Sequence, residues 1–311
     1  MGIIRGICIS ERRGTQKTEV PEADLKVNWG IEGDAHGGNW HRQVSLLSLE
    51  KIEAFREKGA DVNFGAFGEN LIVEGFDFSS LPVGSRFQIG EAELEMTQIG
   101  KECHSHCAIY QTMGDCIMPR EGVFAEVRKL GHIRVGDEVI LLPEDPERPL
   151  TASVITLSDK GAAGQREDKS GPVIVEELQK AGYKVIETLL LPDDVTKIKA
   201  QLIRLSDQRQ VNLILTTGGT GFSERDCTPE ATLAVATRNA PGIAEAIRAG
   251  SMQITRRAML SREASVIRHK TLIVNLPGSP KAVKECLDLV LDQLDHGIRI
   301  LTGRDGECAR K

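Results

Sequence analysis

The chain has 311 residues and a formal net charge of −6, a length that suggests two domains. No apolar run reaches the ~18 residues of a membrane span, and seven scattered cysteines do not form a disulfide framework. Nothing is basic enough to mark a nucleic-acid protein, and the start, MGIIRGICISERRGT, is too short and strand-like for a signal peptide, so a cytoplasmic location is expected.

Residues 1–142 read as a β-rich, barrel-like domain. Short alternating segments (GIIRGICIS, RQVSLLS, ENLIVEG, GSRFQIG, AELEMTQIG, GDEVILL) are separated by glycine turns, with one helix over Leu49–Lys58. LPVGSRFQI and IRVGDEVIL look like similar strand openings. Residues 143–150, PEDPERPL, hold three prolines among acids and read as an exposed linker. From 151 to 311 the pattern changes to strand–helix alternation. TASVITLS, YKVIETLLL, VNLILTT and TLIVNL are expected strands. GPVIVEELQKAG, VTKIKAQLIRLS, Pro229–Thr255 and SPKAVKECLDLVLDQL are expected helices. That order implies a three-layer α/β domain with a mostly parallel sheet. Residues 1–143 carry 15 basic and 22 acidic side chains, residues 144–311 carry 24 and 23. Only the second half leaves room for an anionic ligand.

Open parallel sheets bind ligands at the carboxyl ends of their strands. Four segments reach that edge: Ser158-Asp159, Asp193-Asp194, Gly218-Gly219-Thr220-Gly221, and Asn275 through Pro277-Gly278-Ser279. Each has a plain reading: Asp159 caps a turn, Asp193 or Asp194 caps a helix, Asn275 satisfies backbone. Together they bring a glycine nest, hydroxyls and carboxylates to one crevice. Backbone N–H groups there bind phosphate oxygens, and the carboxylates can hold Mg²⁺ that bridges to phosphate. Asp226 follows the loop and precedes Thr228-Pro229, which read as the N-cap and first residue of a helix.

The runs TTGGTGxxxxDxTPEATLAV, AMLSREASVIR and LIVNLPGSPKAVKECL, with SDK at 158–160 and EDKSG at 167–171, resemble the molybdopterin adenylyltransferase family over 151–311. The resemblance implies a trimer that converts molybdopterin and MgATP to adenylylated molybdopterin and pyrophosphate. By position it makes Asp193 and Asp226 the catalytic, Mg²⁺-holding acids. It makes Ser251 a pterin contact, Gly218 to Gly221 the substrate loop, and Ser279, Pro280 and Lys281 the end of the LPGxPK motif. Phe222 departs from the proline common there. Positioning and charge neutralisation supply the catalysis, with no protein nucleophile and no role for Cys227.

In the first half, GKECHSHCAIYQTMGDC places Cys103, His104, His106, Cys107 and Cys116 within seventeen residues. Structural zinc, plain packing, or a reactive or ligating thiol all fit that spacing. GDAHGGNWHRQVSLLS, GAFGENLIVEG and GVFAEVRKLGHIRVGDEVIL resemble the MOSC domain, named for the C-terminal part of molybdenum cofactor sulfurase. That resemblance puts Cys103 at a cofactor- or sulfur-carrying position, with Asp34, His36 and His41 around the same pocket. Both halves then belong to molybdenum cofactor biosynthesis, with molybdopterin and ATP as substrates. A molybdate-inserting enzyme or a molybdoenzyme would be the partner. The alternative is a non-catalytic carrier or storage protein for the cofactor.

Overall fold

A computed structural model describes residues 1–101 and 108–305 of the chain. The chain divides into two compact units, Met1–Asp145 and Pro146–Lys311.

The first unit contains β1 (Gly2–Ile9), β2 (Thr18–Val20), β3 (Glu22–Lys26), β4 (Gly30–Ile31), β5 (Val44–Ser48), α1 (Leu49–Glu57), β6 (Leu71–Glu74), β7 (Arg86–Ile89), β8 (Ala92–Ile99), α2 (Ala108–Met113), α3 (Met118–Glu121), β9 (Val123–Lys129), β10 (Gly131–Arg134) and β11 (Glu138–Leu141). Seven strands close a barrel in the order β11-β7-β8-β9-β5-β6-β1, because β1 pairs back with β11. β1 divides one edge between two neighbours: Gly2 and Ile3 pair with β11, and Ile7 to Ile9 pair with β2. A small sheet, β10-β3-β4, stands beside it.

Alternation decides what fills the barrel. Ala92, Leu94 and Met96 of β8 point into one core with Val44, Leu46, Leu71, Val73, Phe87 and Val139. Leu47 and Ile72 point the other way, into a second cluster with Ile52 and Phe55 of α1. Phe76, Phe78 and Phe87 pack with ring centroids 5.3–5.6 Å apart. The two similar strand openings are similar in structure. Gly84 and Gly136 both have φ +98°, and they lead into β7 and β11, which pair through Ile89 and Val139.

The second unit contains β12 (Thr151–Leu157), α4 (Asp159–Ala162), α5 (Ser170–Lys180), β13 (Lys184–Leu191), α6 (Val195–Ile203), β14 (Leu213–Thr217), α7 (Thr228–Ala234), β15 (Arg238–Asn239), α8 (Pro241–Met252), β16 (Ser265–Arg268), β17 (Thr271–Leu276) and α9 (Pro280–Thr302). The sheet order is β13-β12-β14-β17-β16-β15. The first four strands are parallel. β16 and β15 run antiparallel at the edge, so the sheet is mixed. Its strands alternate between two cores. Ala152, Val154, Leu213, Leu215 and Val274 meet α5, α8 and α9, while Ile155, Ile214 and Ile273 meet α6 and α7.

The single helical region expected over Pro229–Thr255 is two helices. Arg238 and Asn239 leave the helix to pair with Ile267 and Val266, and Pro241 then starts α8, where its missing N–H is harmless. α9 runs to Thr302, eight residues past the expected end, and stops at Gly303 with φ +77°.

Pro143, Glu144, Pro146, Glu147 and Pro149 are exposed, whereas Leu150 is buried in the second core. Limited digestion with a glutamate-specific protease is therefore expected to cut first after Glu144 and release two folded fragments. Earlier cleavage within either unit would count against an exposed linker at 143–150.

Candidate active site

At the carboxyl edge of the second sheet, four neighbouring strand ends touch through glycines that have no side chain. Gly218 has φ +96°, and a Cβ there would lie 2.4 Å from the Leu157 carbonyl oxygen at the end of β12. Gly219 has φ +63°, and its Cβ would meet Thr228 Oγ1 at 2.4 Å and Asp193 Oδ1 at 2.9 Å. Gly278, after β17, stands against the backbone of Gly218, and the Gly218 N–H donates to the Leu276 carbonyl at 3.3 Å. The loop Gly218–Gly221 thus lies across the ends of β12, β14 and β17, with Asp193 from β13 behind it.

Thr228 is the first residue of α7 rather than its N-cap. Cys227 occupies the cap without a side-chain bond. The Thr228 hydroxyl instead donates to the Gly218 carbonyl at 2.9 Å, and its N–H donates to Gly219 at 3.1 Å. A residue expected to cap the helix therefore ties the helix to the loop.

Three carboxylates surround this loop in different states. The Asp193 and Asp159 side chains each accept the other's backbone N–H, at 3.1 and 3.0 Å respectively, which locks the end of β13 to that of β12. Arg225 donates twice to Asp159, at 3.0 and 2.8 Å, and holds its carboxyl below the usual carboxylate range. Asp193 Oδ1 is buried and has no hydrogen-bond partner among the described residues. Burial pushes the Asp193 carboxyl above its ordinary range, reinforced by the charges of Asp159 and Asp226. Asp226 Oδ2 accepts the Ser223 N–H at 3.0 Å, closing the turn after the loop.

Arg262 braces the other side. It donates to the carbonyls of Gly221 and Asp226, each at 2.6 Å, and pairs with Glu230. Asp194 caps α6 by accepting the Lys197 N–H at 3.0 Å, Ser158 caps α4, and Ser279 caps α9. Asn275 is fully buried, and its amide is engaged by Ala264, Thr216 and Thr232. It holds strand ends together rather than facing the crevice. Thr217 donates to the Pro277 carbonyl at 2.7 Å. Lys281 is exposed beside Glu285. Ser251 lies on α8, 3.7 Å from Cys286 Sγ of α9. Phe222 is exposed, and burial raises the Cys227 thiol, which leaves it a poor nucleophile.

The first unit has its own buried polar group. Asp34 accepts four bonds: from Lys17 Nζ at 2.5 Å, from Asn70 Nδ2 at 2.9 Å, and from the Ser10 N–H and hydroxyl at 3.0 Å each. Burial alone would push its carboxyl up; the bonds from Lys17 and Asn70 more than reverse this and hold it at about 2. Burial pulls the Lys17 ammonium down against the attraction of Asp34. His36 Nδ1 lies 3.3 Å from Ser10 Oγ and 3.5 Å from Lys17 Nζ, so it joins this group. His41 is held elsewhere, by Gln98 at 2.9 Å near the end of β8. Cys103, His104, His106 and Cys107 lie outside the described residues, and Cys116 is buried. Among the described residues, no cluster of three or more His, Cys, Asp or Glu side chains could hold a metal, and no helix is long and apolar enough to cross a membrane.

Sequence reasoning passed over Lys17, Asn70, Arg225 and Arg262. Asn70 and Arg262 sit inside quoted motifs, GAFGENLIVEG and AMLSREASVIR. Lys17 has no such signal, since a lysine beside Thr18 and Glu19 reads as solvated surface.

Residues 153–296 match the family described as a probable molybdopterin binding domain, and residues 32–140 match the MOSC domain. The arrangement is thus a MOSC domain joined to a molybdopterin-binding domain. Among curated proteins, the molybdopterin adenylyltransferase of Escherichia coli is 43% identical over 155 residues, covering 48% of this chain and 80% of that protein. The Helicobacter pylori molybdopterin adenylyltransferase is 38% identical over 152 residues, covering 48% and 86%. The solved molybdopterin biosynthesis enzyme of Thermus thermophilus is 42% identical, covering 50% of this chain and 97% of its own, with a TM-score of 0.48. By the identity and coverage of its curated relatives, the chain belongs to the molybdopterin adenylyltransferase family.

Glu69 supplies a pH test of the first unit. It is fully buried, accepts the Gly65 and Phe67 N–H groups at 2.7 and 3.0 Å, and is pushed by burial from 4.5 to about 7. The folded state then binds this proton more tightly than the unfolded chain. Its contribution to stability is greatest below pH 4.5 and declines as pH rises through about 7. The melting temperature of the wild type minus that of Glu69→Gln should fall across this window in the first unit's transition. A difference that does not vary with pH would refute the assignment.

Proposed function

We propose that the second unit transfers the adenylyl group of MgATP to molybdopterin, releasing pyrophosphate. The observation that carries this reading is the partnerless buried oxygen of Asp193. It stands behind a glycine loop, with Asp226 close enough to raise its carboxyl further. A buried carboxylate oxygen without a donor is costly, and an oxygen-ligated cation is the group that would satisfy it. Asp159 is already neutralised by Arg225, so Asp193 and Asp226 are the residues that would hold the Mg²⁺ of the nucleotide. When bound, that ion offsets negative charge on the phosphates.

The chain's own groups supply the rest. The backbone N–H groups of Gly219, Thr220 and Gly221 would receive phosphate oxygens. An oxygen of the terminal phosphate of molybdopterin would attack the α-phosphorus, and the α–β P–O bond would break with pyrophosphate as the leaving group. Both reactants are anions, so holding them together against their repulsion is the main task.

Asp226→Asn tests the assignment. If Asp226 only complements the dipole of α7, worth about 0.3–1 kcal/mol, the variant keeps its activity. If it holds the cation, melting temperature and molybdopterin binding stay close to normal while pyrophosphate release falls roughly 10²-fold or more. Turnover near the wild-type rate would remove Asp226 from the chemistry. A wild-type protein that binds molybdopterin and releases no pyrophosphate would make the second unit a carrier.

For the first unit we propose binding or sulfur delivery to the same cofactor through Cys103. The support is the MOSC match and the Lys17, Asp34 and His36 group, which offers a buried cation beside a partly exposed imidazole. Cys103→Ser should abolish retention of cofactor or persulfide with folding intact. Stoichiometric zinc that is lost equally on replacing Cys103, Cys107 or Cys116 would identify a structural metal instead.

A further inference from the structure

Glu263 is a buried carboxylate that the chemistry above leaves unused. Its position is fixed on both sides. The preceding residue, Arg262, donates its N–H to the Thr220 carbonyl at 3.0 Å and grips Gly221 with its side chain. The following residue, Ala264, donates its N–H to Asn275 Oδ1 at 3.1 Å. From α8, Arg248 donates to the carbonyls of Ser261 and Glu263 at 3.0 and 3.1 Å. Ser251 lies three residues beyond Arg248, on the same face of that helix, and contacts Cys286. Burial raises the Cys286 thiol to about 11, and the nearby Glu263 charge adds to the effect. Glu263 therefore stands between the segment that holds the glycine loop and the Arg248–Ser251 face of α8.

Only 5% of Glu263 is exposed. Among the described residues no cation is within ion-pair distance, because the Arg248 guanidinium is engaged by backbone carbonyls. Burial accordingly raises the carboxyl, with only partial relief from Ser261 and Arg248. A buried carboxylate without an ion pair weakens a fold, and such groups concentrate at functional sites.

We propose that Glu263 is a specificity-determining residue that accepts the 2-amino and N3–H donors of the pterin ring. The inference rests on the reading of the second unit as a molybdopterin adenylyltransferase. The pyrimidine edge of a pterin presents two parallel N–H donors, the pattern that a carboxylate accepts from a guanidinium fork. Phosphate and dithiolene, the other polar ends of molybdopterin, are anionic and would be repelled by Glu263. One carboxylate thus both attracts the correct edge and rejects the reversed orientation, leaving the phosphate end for the glycine loop.

The test uses the full-length protein and Glu263→Gln, which keeps the size of the side chain. Adenylylation of molybdopterin is measured against two competitors: 6-hydroxymethylpterin, and 6-hydroxymethyllumazine, in which a carbonyl replaces the 2-amino group. The wild type should favour the pterin competitor by about 10- to 100-fold, the discrimination expected when a buried acceptor loses its donor. Glu263→Gln should reduce that ratio to within a few-fold of one and raise KM for molybdopterin more than it changes kcat. A purely structural Glu263 would shift the melting temperature and leave the ratio intact, which would overturn the inference while the adenylyltransferase reading stands. A wild type that releases no pyrophosphate from molybdopterin and MgATP would overturn that reading, and this inference with it.

Discussion

The close approach of backbone at Gly218 and Gly219 is the constraint on which the second unit's site depends. A Cβ at either position would fall within 2.4 Å of another atom, closer than any packed structure tolerates. Both residues also use positive φ, which glycine alone adopts without strain. Without those two side chains the loop can lie against three strand ends, with the Gly218 N–H held by the Leu276 carbonyl. Thr228 and Arg262 then fasten the loop from either side through its carbonyls. The glycines create the surface, and the donors around it keep the surface in one conformation.

Charge is divided around that surface with equal economy. One carboxylate is paired with arginine, one closes a turn, and one retains an oxygen that no described residue satisfies. The first unit solves the opposite problem, since its buried Asp34 is saturated by four donors. A saturated carboxylate fixes structure, whereas an unsatisfied one invites a ligand. The contrast separates the acids of this chain better than their spacing in sequence does.

Much of the scaffold was legible from pattern alone. β12, β13, β14 and β17 end at or within a residue of the ends of their apolar runs, and Asp159, Asp193 and Gly218–Gly221 meet as the parallel-sheet rule requires. Seven strands were not among those expected: β2, β3, β4, β10, β15 and β16 have only two to five residues, too few for a period to register, whereas β9 was passed over although its Val123, Ala125 and Val127 alternate into the core. The break before α8 escaped for a related reason: its neighbours are helical, and only pairing with β16 pulls Arg238 and Asn239 away. Within the site, residue type outlined the acids and glycines. It could not show that Thr228 points at the loop, that Asn275 faces inward, or that Lys17 is buried, because those depend on contacts across tens of residues.

The strand order also bears on when each site comes into being. In the second unit β17 is the last strand to be made, yet it stands beside β14 and supplies one wall of the crevice. In the first, β11 is the last to be made and closes the barrel against β1, the first. Both units therefore join their closing strand to partners made much earlier, a non-local step that local helix formation cannot replace. Each unit nevertheless needs only its own residues to do so. During synthesis the barrel can close before β12 has left the ribosome, and the crevice at the edge of the second sheet is not complete on the growing chain until residues 271–279 have emerged.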